Sequence, residues 1–292
     1  MSSKRKFEAA VVAGMMFAAC PAWAGGEQSL DKLYTDAWKD AKAVAYVAPA
    51  SGELAAMQRL FARLLKGEPA SAVATELRML GWNVYAQSAG GVTWTVVTEA
   101  RNQRRGRGLY AFSSGGRHAM QAPHVPSDEL TGRILLRYAD DGLPRALAWN
   151  TVPRKTADLA HLDGTYLIAF SRAFAQVYPS EKIVQLHGFD TRRRHSAAGA
   201  QSSAIVSAAH SHPPFQLKSA VRCMQQKIEK HTRLYGVDVR ELGGTTNSVA
   251  RALRTEGYEG FIHVELDLSL REQLADMPAR RAALLDCLGG SL

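Results

Sequence analysis

The hydrophobic pattern of the chain changes near residue 80, from helical spacing to strand-like runs. Before that point, apolar residues such as Leu30 and Leu33 recur three or four positions apart, which predicts helices. A first helical segment begins near residue 27 and ends at a Pro/Ala/Ser/Gly break. Two more helices are predicted at about 53–65 and 70–80, so the chain is expected to have a helical N-terminal extension.

From residue 82 onward, short apolar runs alternate with amphipathic segments. Two runs, 82–87 and 92–98, flank a pair of glycines and predict a β-hairpin. Further strands are predicted at 109–112, 119–123, 145–151, 182–187, 204–208 and 261–266. Helices are predicted at 129–139, 165–178, 215–234, 246–255 and in two C-terminal segments. This alternation predicts an α/β fold with a mixed, mainly parallel sheet flanked by helices.

The first 24 residues have the pattern of a secretory signal peptide. A short basic stretch precedes an apolar run, and Ala-Trp-Ala at 22–24 has the form of a cleavage site. A lipoprotein signal ending at Cys20 is the less favoured alternative. No later stretch is long and apolar enough to cross a membrane. We therefore expect a periplasmic or secreted protein, with the helices and hairpin of 25–95 packed on a main domain at 96–292.

The net charge narrows the range of partners. The chain has 36 Lys and Arg against 27 Asp and Glu, a net charge of +9. It contains no helix-turn-helix signature, zinc finger or aromatic RNA-binding motif, and exported proteins rarely meet nucleic acid. A small acidic substrate or a cell-wall polymer is therefore the better explanation of the charge. The Arg-rich segment 188–202 is predicted to form a loop or lid.

Two cysteines, Cys223 and Cys287, remain after removal of the signal peptide. In an oxidising compartment they can form a disulfide. Because both fall in helix-like segments, two buried free thiols are an equally good prediction. Their spacing does not fit a metal-binding knuckle.

Three residues at strand ends form the first candidate site. His124 and Asp128 lie four residues apart in a polar turn after an apolar run, and His187 ends a later run of the same kind. Ligands in α/β sheets bind beyond the carboxyl ends of the strands, so the two turns can meet there. Two histidines and one carboxylate form a common zinc ligand set that leaves a position for water. We expect them to hold one metal ion.

Other residues at strand ends suggest catalytic and substrate-binding roles. Glu265 is a carboxylate within an apolar strand, where it needs either a partner or a function. It is either the base of a metal-assisted hydrolysis or half of a buried salt bridge. His263 shares its strand face and is a further candidate ligand or supporting residue. Asn150 and Arg154 follow a strand and are expected to orient an acidic substrate.

Alternative ligand sets remain open. Asp158 and His161, in the loop after Arg154, can support the site or replace Asp128 as ligands. His210 and His212 form a His-x-His pair, but it lies in a Ser/Pro loop without a nearby carboxylate on a strand. The sequence has neither the Gly-x-Ser-x-Gly motif of serine hydrolases nor the glycine-rich motif of dinucleotide-binding proteins.

The candidate site residues and their order along the chain resemble those of the zinc carboxypeptidase-like superfamily. The resemblance is nearest to its N-formylglutamate amidohydrolase and poly-γ-glutamate hydrolase branches. The resemblance covers about 118–275 and rests on Pro-His at 124 with Asp128, then His187, then Glu265 in Val-Glu-Leu-Asp. It implies a phosphorylase/hydrolase-like fold, metal ligation by the two histidines and Asp128, and Glu265 as the base. The peptidases have His-x-x-Glu where this chain has His-x-x-x-Asp.

The leading hypothesis is therefore an exported zinc-dependent hydrolase of amide bonds. Its expected substrates are an acyl-amino acid, a γ-glutamyl link or a cell-wall peptide. An alternative of another class is a non-catalytic exported protein that binds the envelope or an anionic polymer. A third possibility is a metal storage or delivery protein with a second site at His210 and His212.

Overall fold

The computed structural model describes residues 29–39, 41 and 45–290 of the chain. The predicted signal peptide, residues 1–24, lies outside the described residues. The strands are β1 (Trp82–Ala89), β2 (Val92–Glu99), β3 (Leu109–Ser113), β4 (Arg117–Ala122), β5 (Pro144–Trp149), β6 (Ile183–Gly188), β7 (Ala204–Ser207), β8 (Thr232–Leu234) and β9 (Phe261–Leu266). The helices are α1 (Leu30–Lys39), α2 (Ser51–Leu65), α3 (Ala70–Met79), α4 (Thr131–Asp140), α5 (Tyr166–Val177), α6 (Ala197–Ala200), α7 (Phe215–Lys227), α8 (Ser248–Thr255), α9 (Leu268–Asp276) and α10 (Pro278–Gly289). None of these helices is long and apolar enough to cross a membrane.

All nine strands belong to one mixed sheet in the order β1-β2-β3-β5-β4-β6-β9-β7-β8. The central pairs β5–β4, β4–β6 and β6–β9 are parallel, as is β7–β8. The pairs β1–β2, β2–β3, β3–β5 and β7–β9 are antiparallel. The prediction of an α/β fold with a mixed sheet flanked by helices is confirmed. The sheet is not mainly parallel as predicted, because four of the described strand pairs are parallel and four are antiparallel. Parallel pairing is concentrated at the centre, and the hairpin β1–β2 continues the same sheet.

Helices cover both faces of the sheet. Alternate residues of each central strand point to opposite faces and therefore pack in different cores. Met120 and Ala122 of β4 join the core formed with α1, α4, α7, α9 and α10. Ala119, of opposite orientation, joins the core formed with α2, α3, α5 and α8. In β6 and β9 the residues on this second face include Gln185, His187, His263 and Glu265. The polar residues of the candidate site therefore share one face of the sheet.

Aromatic packing fixes α2 on the second face. Phe61 of α2 lies 4.7 Å from the ring of Tyr110 in β3 and 5.9 Å from that of Phe170 in α5, measured between ring centroids. All three side chains are fully buried. Complete burial of a phenylalanine contributes about 2–3 kcal/mol through the hydrophobic effect. The contacts join α2, the sheet and α5 in one core.

The predicted helix 215–234 is wrong in its second half. Helix α7 ends at Lys227, and residues 232–234 form strand β8 instead. The register of the β7–β8 pair matches Ala204 with Thr232 and Val206 with Leu234, so backbone groups of the edge strand bond to the sheet. Pairing with β7 therefore outweighs the helical periodicity, which is a local signal.

A disulfide joins Cys223 of α7 to Cys287 of α10, with a Cα–Cα distance of 5.5 Å. Both residues lie in or against the first core. Of the two alternatives that the sequence left open, a disulfide and two buried free thiols, the structure shows the disulfide. The bond closes a chain segment with a sequence separation of 64 and links the two helices over one sheet face.

Candidate metal centre

Three polar side chains converge at the edge where two parallel strands end. His124 and Asp128 lie in the loop after β4, and His187 lies near the end of β6. His187 Nδ1 lies 3.0 Å from His124 Nδ1, and Asp128 Oδ2 lies 3.3 Å from each of these nitrogens. All three side chains are buried. We call these three residues the candidate metal centre.

The separations within the centre match those between ligands of a metal ion. A tetrahedral ion bonded at about 2.1 Å to nitrogen and oxygen holds its ligand atoms about 3.4 Å apart. Two imidazoles and a carboxylate are also a known ligand set of catalytic zinc sites. His124, Asp128 and His187 can therefore hold a metal ion. The structure brings together the three ligands that the sequence predicts.

A chain of buried amides determines which nitrogen of His187 faces the centre. Ser171 donates to a helix carbonyl and accepts from the amide of Gln121, whose oxygen accepts from Gln185 Nε2. Gln185 Oε1 therefore points at His187 Nε2, at 2.9 Å, and also accepts from Asn247. Since this oxygen can only accept, the proton of neutral His187 is on Nε2. Its Nδ1 lone pair then faces Asp128 and His124.

His124 is oriented in the same way by a carboxylate. Its Nε2 lies 2.8 Å from Asp158 Oδ1, and the other oxygen of Asp158 accepts from Arg154 Nε at 2.9 Å. Histidine ligands commonly donate their outer N–H to a carboxylate, which fixes the ring and makes the inner nitrogen more basic. Asp158 therefore occupies a supporting position behind His124, one of the two roles that the sequence left open for it.

The protonation of the centre follows from its charges. Burial lowers the pKa of His187 to about 4, so this ring is neutral near pH 7. Although burial lowers the pKa of His124, its contacts with Asp128 and Asp158 raise it above the usual value. Asp128 is buried, yet the facing imidazoles hold its pKa below the usual range. A cation between the three residues, either a proton on His124 Nδ1 or a metal ion, therefore balances the facing lone pairs.

Glu265 and His263 lie beside the centre on β9. Their cross-strand neighbours on β6 are His187 and Gln185, respectively. Burial, followed by the charge of Asp128, raises the pKa of Glu265 to about 8. Glu265 is 9% exposed and has no salt bridge to an arginine within the described part of the chain. The buried salt bridge, which the sequence allowed, is therefore not formed.

His263 stacks on His187, with ring centroids 4.4 Å apart. Its Nε2 lies 3.9 Å from Glu265 Oε1, and its Nδ1 is buried without a hydrogen-bond partner. Burial, with the neighbouring His187 and His124, lowers its pKa well below the usual value. His187, His263 and Glu265 form a second group that can hold a metal ion. Because it shares His187, this group adjoins the first.

Asn150 supports the loop that carries His124. Its side-chain oxygen accepts from Val125 N at 2.8 Å, and its amide donates to the carbonyls of Val125 and Val152. The residue is 1% exposed, and both amide hydrogens are used by these backbone contacts. These contacts position the loop and give no support to the prediction that Asn150 orients a substrate.

The candidate metal centre opens into a cleft of about 1220 Å³. Its walls include six basic side chains: Arg154, Lys155, Arg192, Arg193, Arg194 and Arg271. The Arg-rich segment predicted as a loop or lid therefore forms part of the wall. His161 also lines the cleft, where its ring stacks on that of His124 at 6.3 Å and its Nδ1 lies 3.2 Å from Thr246 O. The six basic side chains outnumber by one the five acidic side chains of the wall, which are Asp128, Glu129, Asp190, Glu265 and Asp267.

The rival pair His210 and His212 is not part of this cleft. His212 is exposed and His210 is half-buried, and His212 N donates to His210 Nδ1. Within the described residues, neither belongs to a group of three possible metal ligands. The strand-borne site is therefore the better metal candidate.

Sequence reasoning missed the amide chain and Arg271. Gln121 and Gln185 each interrupt an apolar strand, on the same face as the functional residues, and this interruption was the available signal. Arg271 has no comparable signal, because it is one of many arginines. Neither the comparison with protein-family models nor that with curated proteins gives a match for this chain.

Proposed function

We propose that the protein is an exported zinc-dependent hydrolase that cleaves amide bonds in acidic substrates. The observation that supports this most is the convergence of His124 Nδ1, His187 Nδ1 and Asp128 Oδ2 at 3.0–3.3 Å. The outer nitrogens of both histidines already have partners, as expected of metal ligands. The proposed resemblance to zinc carboxypeptidase-like enzymes names the same three residues.

Zinc is our choice of metal because its sites combine imidazole and carboxylate ligands in this number. When bound, zinc would act as a Lewis acid and lower the pKa of water. The protein's own residues then decide which bond is attacked. The amide chain through Gln185 and the carboxylate of Asp158 would hold both imidazoles in place throughout.

Glu265 is the proposed base. Its carboxyl group lines the cleft beside His187, so it can accept a proton from water and return it to the leaving amine. The raised pKa of about 8 favours the acid form in the absence of metal. A nearby cation favours the ionised form, which is the one that a base requires. Burial therefore provides a proton acceptor with a pKa suited to neutral pH.

The walls of the cleft support an acidic substrate. Arg154 lines it, although its guanidinium is partly neutralised by Asp158. Export is supported by the Cys223–Cys287 disulfide, since such bonds persist in oxidising compartments. The substrates to test are N-acyl-glutamates, γ-glutamyl peptides and cell-wall peptides.

The deciding experiment measures zinc content and turnover in matched variants. The natural protein should bind one zinc ion, whereas His187→Ala should lose it and His210→Ala should retain it. Glu265→Gln should retain zinc and lose at least about a hundredfold in kcat, because only the proton acceptor is removed. A natural protein that binds no zinc would refute the metal site. Full turnover in Glu265→Gln would remove this residue from the mechanism.

The six basic side chains of the cleft favour a second candidate function, binding of an anionic envelope polymer without turnover. This alternative predicts sedimentation with peptidoglycan that is lost at high salt. The binding should be unchanged in Glu265→Gln and weaker in Arg192→Gln. Turnover of any acyl-amino acid that depends on Glu265 would exclude this alternative as the full description.

A further inference from the structure

We propose that Arg271 binds a carboxylate of the substrate beside the candidate metal centre. This inference rests on the proposed hydrolase function, since the ligand is a substrate only if the protein is a hydrolase. It assigns the carboxylate contact to a residue on α9 rather than to Arg154.

Arg271 is a buried cation without an acidic partner. Three arginines of the described chain are almost fully buried: Arg107 at 4%, Arg271 at 6% and Arg281 at 3% exposure. Arg107 pairs with Glu53, and Arg281 forms two bonds to Asp141. Arg271 has no ion pair within the described residues. A buried charge is costly unless it is paired, so a counter-ion from outside the chain is expected.

The donors of Arg271 are only partly used. Its Nε donates to the carbonyl of Asp267 at 3.2 Å, and its Nη1 donates to the carbonyl of Glu129. A guanidinium has five N–H donors in a planar fork. No acceptor within the described chain contacts Nη2, and the residue lines the cleft. The two backbone carbonyls therefore hold the group in place while leaving donors for a ligand.

The guanidinium lies next to the candidate metal centre. It packs over Gly188, where an added Cβ would be only 2.7 Å from Arg271 Cζ. Gly188 follows His187 directly, and its N–H donates to Asp128 Oδ2 at 3.1 Å. The missing side chain of glycine allows this close approach. An anion on Arg271 would therefore lie beside two of the candidate ligands.

The other arginines of the cleft are already paired. Arg154 bonds to Asp158, Arg192 and Arg193 pair with Asp190, and Arg194 pairs with Glu241. Arg271 is thus the cleft arginine without a carboxylate partner in the described chain. A planar guanidinium binds a carboxylate through two parallel hydrogen bonds. The chemistry of the site therefore favours a carboxylate as the missing counter-ion.

The test uses succinate, glutarate and adipate as probes, with their monoamides, on the metal-free protein. Binding is followed by NMR titration, so it does not depend on zinc or on turnover. Arg271→Gln should weaken the best diacid at least about tenfold, or ~1.4 kcal/mol. The preference for the diacid over its monoamide should disappear in this variant. Arg137→Gln, on the exposed side of α4 and outside the cleft, is the matched control and should change affinity less than about twofold.

The outcomes separate this inference from the hydrolase proposal. Equal diacid affinity in Arg271→Gln and the natural protein overturns the inference, even if the enzyme hydrolyses amides. Loss of diacid binding in Arg271→Gln sustains it, even if no turnover is found. Tighter binding of inorganic phosphate than of every diacid would overturn the choice of a carboxylate.

If Arg271→Gln does not fold, the measurement uses two proteins that retain the positive charge. The guanidinium signals of Arg271 in the natural protein, assigned by comparison with Arg271→Lys, should shift on addition of the diacid. Their failure to shift at saturation would refute direct binding. Thermal unfolding of each variant shows that the compared proteins are folded.

Discussion

Replacing Glu265 with glutamine should stabilise the metal-free protein at pH 8 relative to the natural chain. Burial, followed by the charge of Asp128, raises the pKa of this carboxyl group from 4.5 to about 8 in the folded state. Below pH 4.5 the carboxyl group of Glu265 is protonated in both the folded and the unfolded state, so it does not change the free energy of unfolding with pH. Between pH 4.5 and 8 the unfolded chain ionises and the folded chain does not, and stability therefore falls as the pH rises.

The two pKa values set the size of the effect. They differ by about 3.5, and since each unit corresponds to about 1.4 kcal/mol, the largest loss is roughly 5 kcal/mol. Glutamine has a similar shape and does not titrate, so the variant avoids this loss. Part of this loss has already occurred at pH 5, and relaxation of the protein around a buried charge reduces the rest. We therefore expect the stability advantage of the variant to grow by about 2–3.5 kcal/mol between pH 5 and pH 8.

Urea unfolding in the presence of EDTA, at pH 5, 6.5 and 8, measures the difference. The exposed Glu272→Gln is the matched control for introducing a glutamine. A stability difference for Glu265→Gln that stays within about 1 kcal/mol from pH 5 to pH 8 would refute the reasoning. Added zinc should remove the advantage of the variant, because a cation favours the ionised carboxylate.

Three further predictions concern the metal centre and the disulfide. Gln185→Met removes the acceptor of His187 Nε2–H and should weaken zinc binding about 10–100-fold, measured by competition with a chelator. Zinc affinity should also fall as the pH drops below the raised pKa of His124, since a proton then competes for its Nδ1; a pH-independent affinity from pH 8 to 5 would contradict this. Cys223→Ala should lower the free energy of unfolding by about 4 kcal/mol, because the disulfide closes a segment of 64 positions; an unchanged urea midpoint would contradict the estimate from loop entropy.

The sequence by itself determined most of the elements and the main candidate ligands. Apolar runs and glycine breaks located the strands, because alternation and turn chemistry are local properties. His124 and His187 were identified because each ends an apolar run in a polar turn. Glu265 was identified because an acid within an apolar strand requires an explanation.

Only the tertiary structure decided how these elements meet. The order β5-β4-β6-β9 brings the ends of four parallel strands together, and no local pattern encodes that order. The same holds for β8, where pairing with β7 replaced a predicted helical end. The tertiary structure also decided that Cys223 and Cys287 form a disulfide, because the distance between their Cα atoms depends on the packing of α7 against α10.

The roles of individual polar residues also depended on the fold. Asn150 is expected from its position to face a substrate, yet its amide holds the backbone of the His124 loop. Arg271 cannot be distinguished from the other arginines in the sequence. In the fold it is buried beside Gly188 and has no carboxylate partner among the described residues. A residue type limits the contacts that a side chain can make. Which contacts it makes, and which donors remain free, is decided by neighbours that are distant in sequence.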